Sequence, residues 1–227
     1  MKNLQKFGGI SALYMAIAHL TGLIIFIVIL DYISITDLAQ KVAMNVNNQA
    51  VVFSTNLLMY VFFGFFLIVF SLALSNRLKA GAPALMQVAA AIGIIWAGSL
   101  IASGMVANAT LTSVVALNAA DPAQAALTWQ GIEPVIDGLG NANGEILGGL
   151  MTLLVSLAAL RAGQLPRGLN ILGLVVGVVG IITIIPALNA LVAVFGLGQI
   201  GWFIWMGIAL LRSNPVKAAA TEILGVA

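Results

Sequence analysis

Apolar residues run along this chain in stretches too long for strands and too uniform for the faces of surface helices. Six such stretches occur, roughly 9–30, 50–75, 82–107, 144–160, 168–185 and 190–211, and none contains a lysine or arginine. A bilayer core about 30 Å thick takes about 20 apolar residues of α-helix. The pattern therefore predicts an all-α fold, a polytopic transmembrane helical bundle of about six spans, forming one integral membrane domain over 1–227. The fourth and fifth runs are short, and their ends are the hardest to place. The first run follows Lys2 and Lys6 as a signal peptide would, but it exceeds the usual apolar core of a signal and leads into Leu30, Asp31 and Tyr32, a poor cleavage site. It is read as a retained helix.

The polar connections carry their own signals. Segment 31–49 predicts a short helix capped by Thr36 or Asp37. Segment 108–143 begins Ala-rich, restarts at Asp121-Pro122 and meets Gly131 and Glu133-Pro134, which predicts two or three short helices over the outer face. Between the fourth and fifth runs, Gly163 suits a left-handed cap and Pro166 the start of the next helix.

Composition removes the soluble alternative. The chain is 62% hydrophobic and 7% charged, against about 25% charged in soluble domains. The nine basic residues are too few for a nucleic-acid surface. Threading six spans from a cytoplasmic N-terminus puts Lys2, Lys6, Arg77, Lys79, Arg161, Arg167, Arg212 and Lys217 inside and only Lys41 outside. Asp31, Asp37, Asp121, Glu133, Asp137 and Glu145 fall outside or at that edge, and Glu222 inside. Basic residues set topology, so both termini are expected in the cytoplasm and segments 31–49 and 108–143 on the outer side of a cell inner membrane.

Small and polar residues recur at three-four spacing in each run, as helix contacts in lipid require. Examples are Gly9, Ala12, Ala16 and His19 in the first and Gly173, Gly177, Gly180 and Thr183 in the fifth. At about 1.5 Å per residue, His19, Tyr60 and Gln199 fall near mid-membrane. Asn56, Asn108, Glu145 and Asn189 fall near the outer edge.

His19, the sole histidine, carries three readings: a structural hydrogen bond to Tyr60 or Gln199, proton handling, or ligation of a haem or chlorin. No other cofactor is expected. Glu145 is read first as a helix cap stabilised by the dipole and second as a ligand-binding carboxylate. In the second reading it joins Asn56, Asn108, Asn141, Asn143, Asn189 and Gln199 as candidate ligand-binding residues. Those near the outer edge would form a polar pocket roofed by 108–143, with Trp129 as a lid. Trp202 and Trp205 are read as packing or interfacial residues. No Cys is present, which excludes disulfides and thiolate sites. No run carries a lysine for a retinal Schiff base, and no His-Glu-x-x-His, Gly-x-Ser-x-Gly or phosphate-loop motif occurs. No catalytic residue or metal site is expected.

At Arg161-Ala-Gly-Gln-Leu-Pro-Arg167-Gly-Leu-Asn-Ile-Leu-Gly, with Gly144-Glu145-Ile-Leu-Gly-Gly before it and Gly196-Leu-Gly-Gln199-Ile-Gly after it, the chain resembles a bacterial family of six-helix integral membrane proteins of the domain-of-unknown-function type. The likeness covers about the last hundred residues, and the front half in layout. It implies six-span topology and an inner-membrane location, and it carries no functional residue over. The expected function is that of a non-enzymatic accessory or binding protein that contacts membrane lipids and a membrane partner, a second copy, or an apolar ligand. A small-solute or proton-coupled transporter is the alternative, and a cofactor-binding membrane enzyme the third reading.

Overall fold

A computed structural model describes residues 2–140 and 145–212. Asn141, Asn143, Gly144, Lys217 and Glu222 lie outside the described residues. Among those described the fold is all-helical, without a strand. Helix α1 (Lys2–Leu23) runs into a π-helical turn (Ile24–Ile29). A short α2 (Leu38–Asn47) precedes α3 (Gln49–Asn56), a second π turn (Leu57–Phe62) and α4 (Phe63–Leu78), which form one rod. Then follow α5 (Pro83–Ala120), α6 (Pro122–Gly140), α7 (Ile146–Arg161), α8 (Arg167–Ile182), a 3-10 turn (Pro186–Leu191) and α9 (Val192–Arg212). Four stretches are long and apolar enough to cross a membrane: Asn3–Ile29, Gln49–Leu78, Pro83–Ala120 and Pro186–Arg212. Helices α7 and α8 are apolar but have 16 residues each.

The caps follow local chemistry. The Asp37 carboxylate accepts from the Gln40 N–H at 2.8 Å, starting α2. The Asp121 carboxylate accepts from Ala123 and Gln124, both at 3.0 Å, and Pro122 opens α6. Gly163 turns at φ 62° after α7, and Pro166 precedes α8.

Helices α1, α4, α5, α7, α8 and α9 close a ring, each packed on the next and α9 back on α1, while α6 lies outside against α5. Phe70, Trp202 and Phe203 pack edge-to-face or tilted at the ring's centre. Trp202 is therefore core, whereas Trp205 is 41% exposed. The small-residue stripes turn inward: Gly9, Ala12, Ala16, Gly64, Gly93, Ala97, Gly149, Gly173, Gly177, Gly180 and Gly196 are all buried. The tightest seam joins α7 and α8. A Cβ on Gly149 would stand 2.8 Å from the Gly177 carbonyl oxygen, and one on Gly177 2.7 Å from the Leu153 nitrogen. Only backbones without side chains approach this closely.

Gln5 donates to the Leu210 carbonyl at 2.7 Å, and Gly81 abuts Ala162. One end of the bundle therefore gathers the start of α1, the α4–α5 and α7–α8 turns and the end of α9. Lys6, Arg77, Lys79, Arg161, Arg167 and Arg212 belong to that end. The opposite end holds α2 and most of α6, with Asp31, Asp37, Lys41, Asp121 and Glu133.

Two expectations change. Segment 108–143 is not a set of two or three short helices. Helix α5 continues through Asn108 to Ala120, because nothing before Asp121-Pro122 breaks it, and at 38 residues it is about 57 Å long. Helix α6 then runs unbroken through Gly131 and Pro134. Packing along α5 holds it: Ser103 donates to the Ile136 carbonyl at 2.8 Å, and Ser99 to that of Leu139. The second change is depth. Helix α7 does not begin at the outer edge, because a Cβ on Gly148 would stand 2.9 Å from Trp96. Trp96 lies only about 20 Å along α5 from Pro83. Its late start accounts for the shortness of the fourth apolar run.

Gly149→Ala should force α7 from α8 and cost about 1–3 kcal/mol, seen as a lower thermal midpoint of the detergent-solubilised protein. Gly131, in α6 with nothing within 4 Å of a would-be Cβ, should behave oppositely. Gly131→Ala should raise stability by about 0.5–1 kcal/mol.

Candidate functional site

Helix α6 roofs two adjoining chambers. The upper, of about 350 Å³, is bounded by the end of α1 and its π turn, by α2 and α3, and by Ala107 of α5. Trp129, Glu133, Ile136 and Asp137 of α6 complete it. The lower, of about 100 Å³, is lined by His19, Met59, Tyr60, Phe63, Trp96, Leu100, Gly140 and Glu145. His19, Met59 and Tyr60 border both, so the two chambers adjoin.

The π turns shape it. Each inserts a residue into its turn, which rotates the side chains that follow. Phe26 and Ile27 from one, and Met59 and Tyr60 from the other, line the chambers. Gly22 leaves room for the Met59 thioether, which occupies the space a Cβ would take. The upper walls are mostly apolar (Leu23, Phe26, Ile27, Val52, Ala107).

The α2–α6 end of the upper chamber is charged. Glu133 Oε1 accepts from Tyr32 Oη at 2.6 Å and from Lys41 Nζ at 2.9 Å. This latch joins the segment after α1, helix α2 and helix α6. The Lys41 ammonium also stands 5.2 Å from the centre of the Tyr32 ring, within cation–π range. Burial pushes the Glu133 carboxyl up, but the hydrogen bonds from Tyr32 and Lys41 and the lysine charge outweigh it and hold it below the usual range. Burial and the bond to Glu133 push the Tyr32 phenol up. Burial and the Glu133 charge raise Asp137, beside it.

The residues expected to form one outer pocket divide. Asn56 donates to Asn108 Oδ1 at 3.0 Å, and Asn108 to the Phe53 carbonyl at 3.2 Å. Asn56 lines the upper chamber with Asn108 behind it. Asn189 lines neither chamber: it is exposed in the 3-10 turn and donates to the Thr183 carbonyl at 3.4 Å. Gln199 makes a reciprocal pair with Thr152, at 3.0 and 3.1 Å, between α9 and α7. Asn141 and Asn143 are outside the described residues. Trp129 lines the upper chamber under α6.

Glu145 is the N-cap residue of α7, but its side chain makes no capping hydrogen bond. Its backbone N–H donates to Thr183 Oγ1 at 2.8 Å. That bond ties the start of α7 to the end of α8, and Glu145 also lines the lower chamber. The ion pair between described residues is that of Lys41 and Glu133, away from Glu145. Nor does His19 bond Tyr60 or Gln199. Its ring meets Phe63 edge-on at 6.3 Å, and Nε2 lies 3.5 Å from where a Gly196 Cβ would stand. A haem or chlorin on His19 would have Met59, which shares both chambers, as its neighbour. Among the described residues no group of three or more His, Asp or Glu side chains gathers as metal ligands would.

Sequence reasoning missed the latch. Its one available signal was Lys41, the lone basic residue of the outer segments, which implies an acidic partner there. A comparison with protein-family models, curated proteins and solved structures found no match.

The folded-state pKa of Glu133 is depressed, so the stability it contributes is present above the ordinary carboxylate range. It is lost as pH falls through the lowered value. The thermal midpoint of Glu133→Gln should lie below wild type at pH 7, and the gap should close on acidification. Tyr32→Phe, which removes one hydrogen bond to a charged group at a partly exposed site, should cost about 1.5 kcal/mol at pH 7.

Proposed function

We propose that this chain is a six-span protein of a bacterial inner membrane, akin to the family its fifth-helix turn resembles, that binds a small, largely apolar ligand beneath α6. The observation that carries this reading is the pair of adjoining chambers: apolar walls and charged residues at the α2–α6 end in the upper, and His19 and Glu145 in the lower. Pockets of about 300–1,000 Å³ with apolar walls and few polar groups are the usual form of small-molecule sites. The side chain of Asn45 supports it further. It borders the upper chamber at 1% exposure, and its Nδ2 has no partner among the described residues. Six spans follow if α7 and α8 cross with the four longer stretches. The basic end then faces the cytoplasm and the α2–α6 end the periplasm.

N-phenyl-1-naphthylamine, a neutral dye that brightens in apolar surroundings, should bind saturably to the protein in phosphatidylcholine nanodiscs. Ala107→Leu, which fills the upper chamber, should weaken binding about 10-fold, the equivalent of about 1.4 kcal/mol. Equal, non-saturating uptake by both proteins would reject the reading. The chain lacks cysteine, so topology can be tested directly. Gln124→Cys should react with an impermeant thiol reagent on intact spheroplasts and Lys79→Cys should not; the opposite pattern would invert the orientation.

A second reading, proton-coupled transport of the same ligand, is favoured by one observation: His19 and Glu145 are titratable groups lining a cavity within a bundle of apolar helices. Under that reading, proteoliposomes carrying a pH gradient would accumulate more ligand than protein-free vesicles with the same gradient; equal accumulation in both would reject it.

A further inference from the structure

The lower chamber has a chemistry of its own. Its volume, about 100 Å³, suits a head group rather than a whole ligand. Phe63 and Trp96, packed edge-to-face on each other at 5.9 Å, both line it, and Tyr60 adds a third aromatic ring. Glu145 brings a carboxyl group that makes no capping hydrogen bond and meets no described cation. Aromatic faces attract cations through the ring quadrupole, and a carboxylate among apolar walls is costly unless it takes up a proton or a positive charge comes to it. At the α2–α6 end of the upper chamber, Lys41 is spent on Glu133 at 2.9 Å, and Asp137 adds a further acid to the lining. An acidic, low-dielectric cavity concentrates cations and repels anions.

We propose that the lower chamber is an ammonium site and that the ligand is an amphiphilic amine, its charged nitrogen at Glu145 and its apolar body in the upper chamber. An alkylammonium has three N–H donors and no acceptor. Glu145, Tyr60 and His19 all line the lower chamber, and each side chain can supply a hydrogen-bond acceptor. A bare metal ion would want a gathering of hard ligands, which is absent among the described residues. A fatty acid would bring its carboxylate against Glu145.

This proposal rests on the binding reading above, and the two can fail separately. Octylamine, octanol and octanoate share one chain length and differ in the head. They would be titrated against the nanodisc protein at pH 7 by quenching of tryptophan fluorescence, since Trp96 and Trp129 line the chambers. Octylamine should bind about 10-fold or more tightly than octanol, and octanoate weakest. Glu145→Gln should erase the amine's advantage over octanol. An unchanged far-UV circular dichroism spectrum in nanodiscs shows that the variant is folded. Equal affinities for octylamine and octanol, or an amine preference that survives Glu145→Gln, would overturn the ammonium site while leaving the apolar chamber standing. Amine binding that depends on Glu145 without dye binding would uphold the site and reject the broader apolar-ligand reading.

Discussion

The rest of the molecule depends on how α6 is held against α5. Helix ends leave carbonyls without intrahelical partners, and in a bilayer each unsatisfied group costs several kcal/mol. Near the end of α6, the carbonyls of Ile136 and Leu139 accept from Ser103 and Ser99. Those serines lie well down α5, so their bonds draw the end of α6 to the level of Tyr60. There Gly140 stands so close that a Cβ would be 3.3 Å from the phenol ring. Without this attachment the space between α1, α3 and α5 would be a trough open at the α2–α6 end. With it, the trough has a roof.

The same geometry governs α7. The roof enters the bundle, and the helix that follows starts at the level of Trp96 rather than at a membrane surface. Its first residues bind sideways: the Glu145 N–H is taken by Thr183, whose hydroxyl donates in turn to the Gly180 carbonyl at 2.6 Å. One donor at that helix start is thereby satisfied by the end of α8, and Glu145 also lines the lower chamber.

What the sequence made legible was local. Apolar runs, the caps at Asp37 and Asp121, the turn at Gly163 and the inward stripes are each written in a few neighbouring residues, and the structure contains them. Asn56 and Asn108 could be matched because both helices cross the whole bundle and equal counts mean equal depth. Counting failed for Glu145 because it assumed that every helix begins at a surface. The length of α5 was hidden because an Ala-rich, mildly polar stretch reads equally as a loop or as a helix extending beyond the bundle. Pro134 was read as a stop, but its packing along α5 overrode the missing N–H. The partners of Gln199 and His19 depend on helix rotation, which periodicity leaves open.

Lipid offers polar groups no hydrogen bonds, so each must find a partner or face a cavity. Several polar groups of this chain follow that rule, although Ser156 Oγ and Trp202 Nε1 are buried without a hydrogen-bond partner away from the chambers. Asn56 with Asn108, Gln199 with Thr152, and Asn189 and the Glu145 backbone with Thr183 each join two segments of the chain, and they act in assembly. His19, Tyr60 and the Glu145 carboxylate join nothing among the described residues and line one chamber. The π turns show the same division. Their hydrogen-bond geometry is less favourable than that of the α-helix, and they are often found at functional sites. Here both occur where helices border the chambers, and the helices away from them contain none among the described residues. The irregular backbone, the unpartnered Asn45 amide and the re-entering roof meet at the two chambers. Packing alone gives no reason for that coincidence, since a closed bundle is more stable with regular helices and apolar residues at those positions.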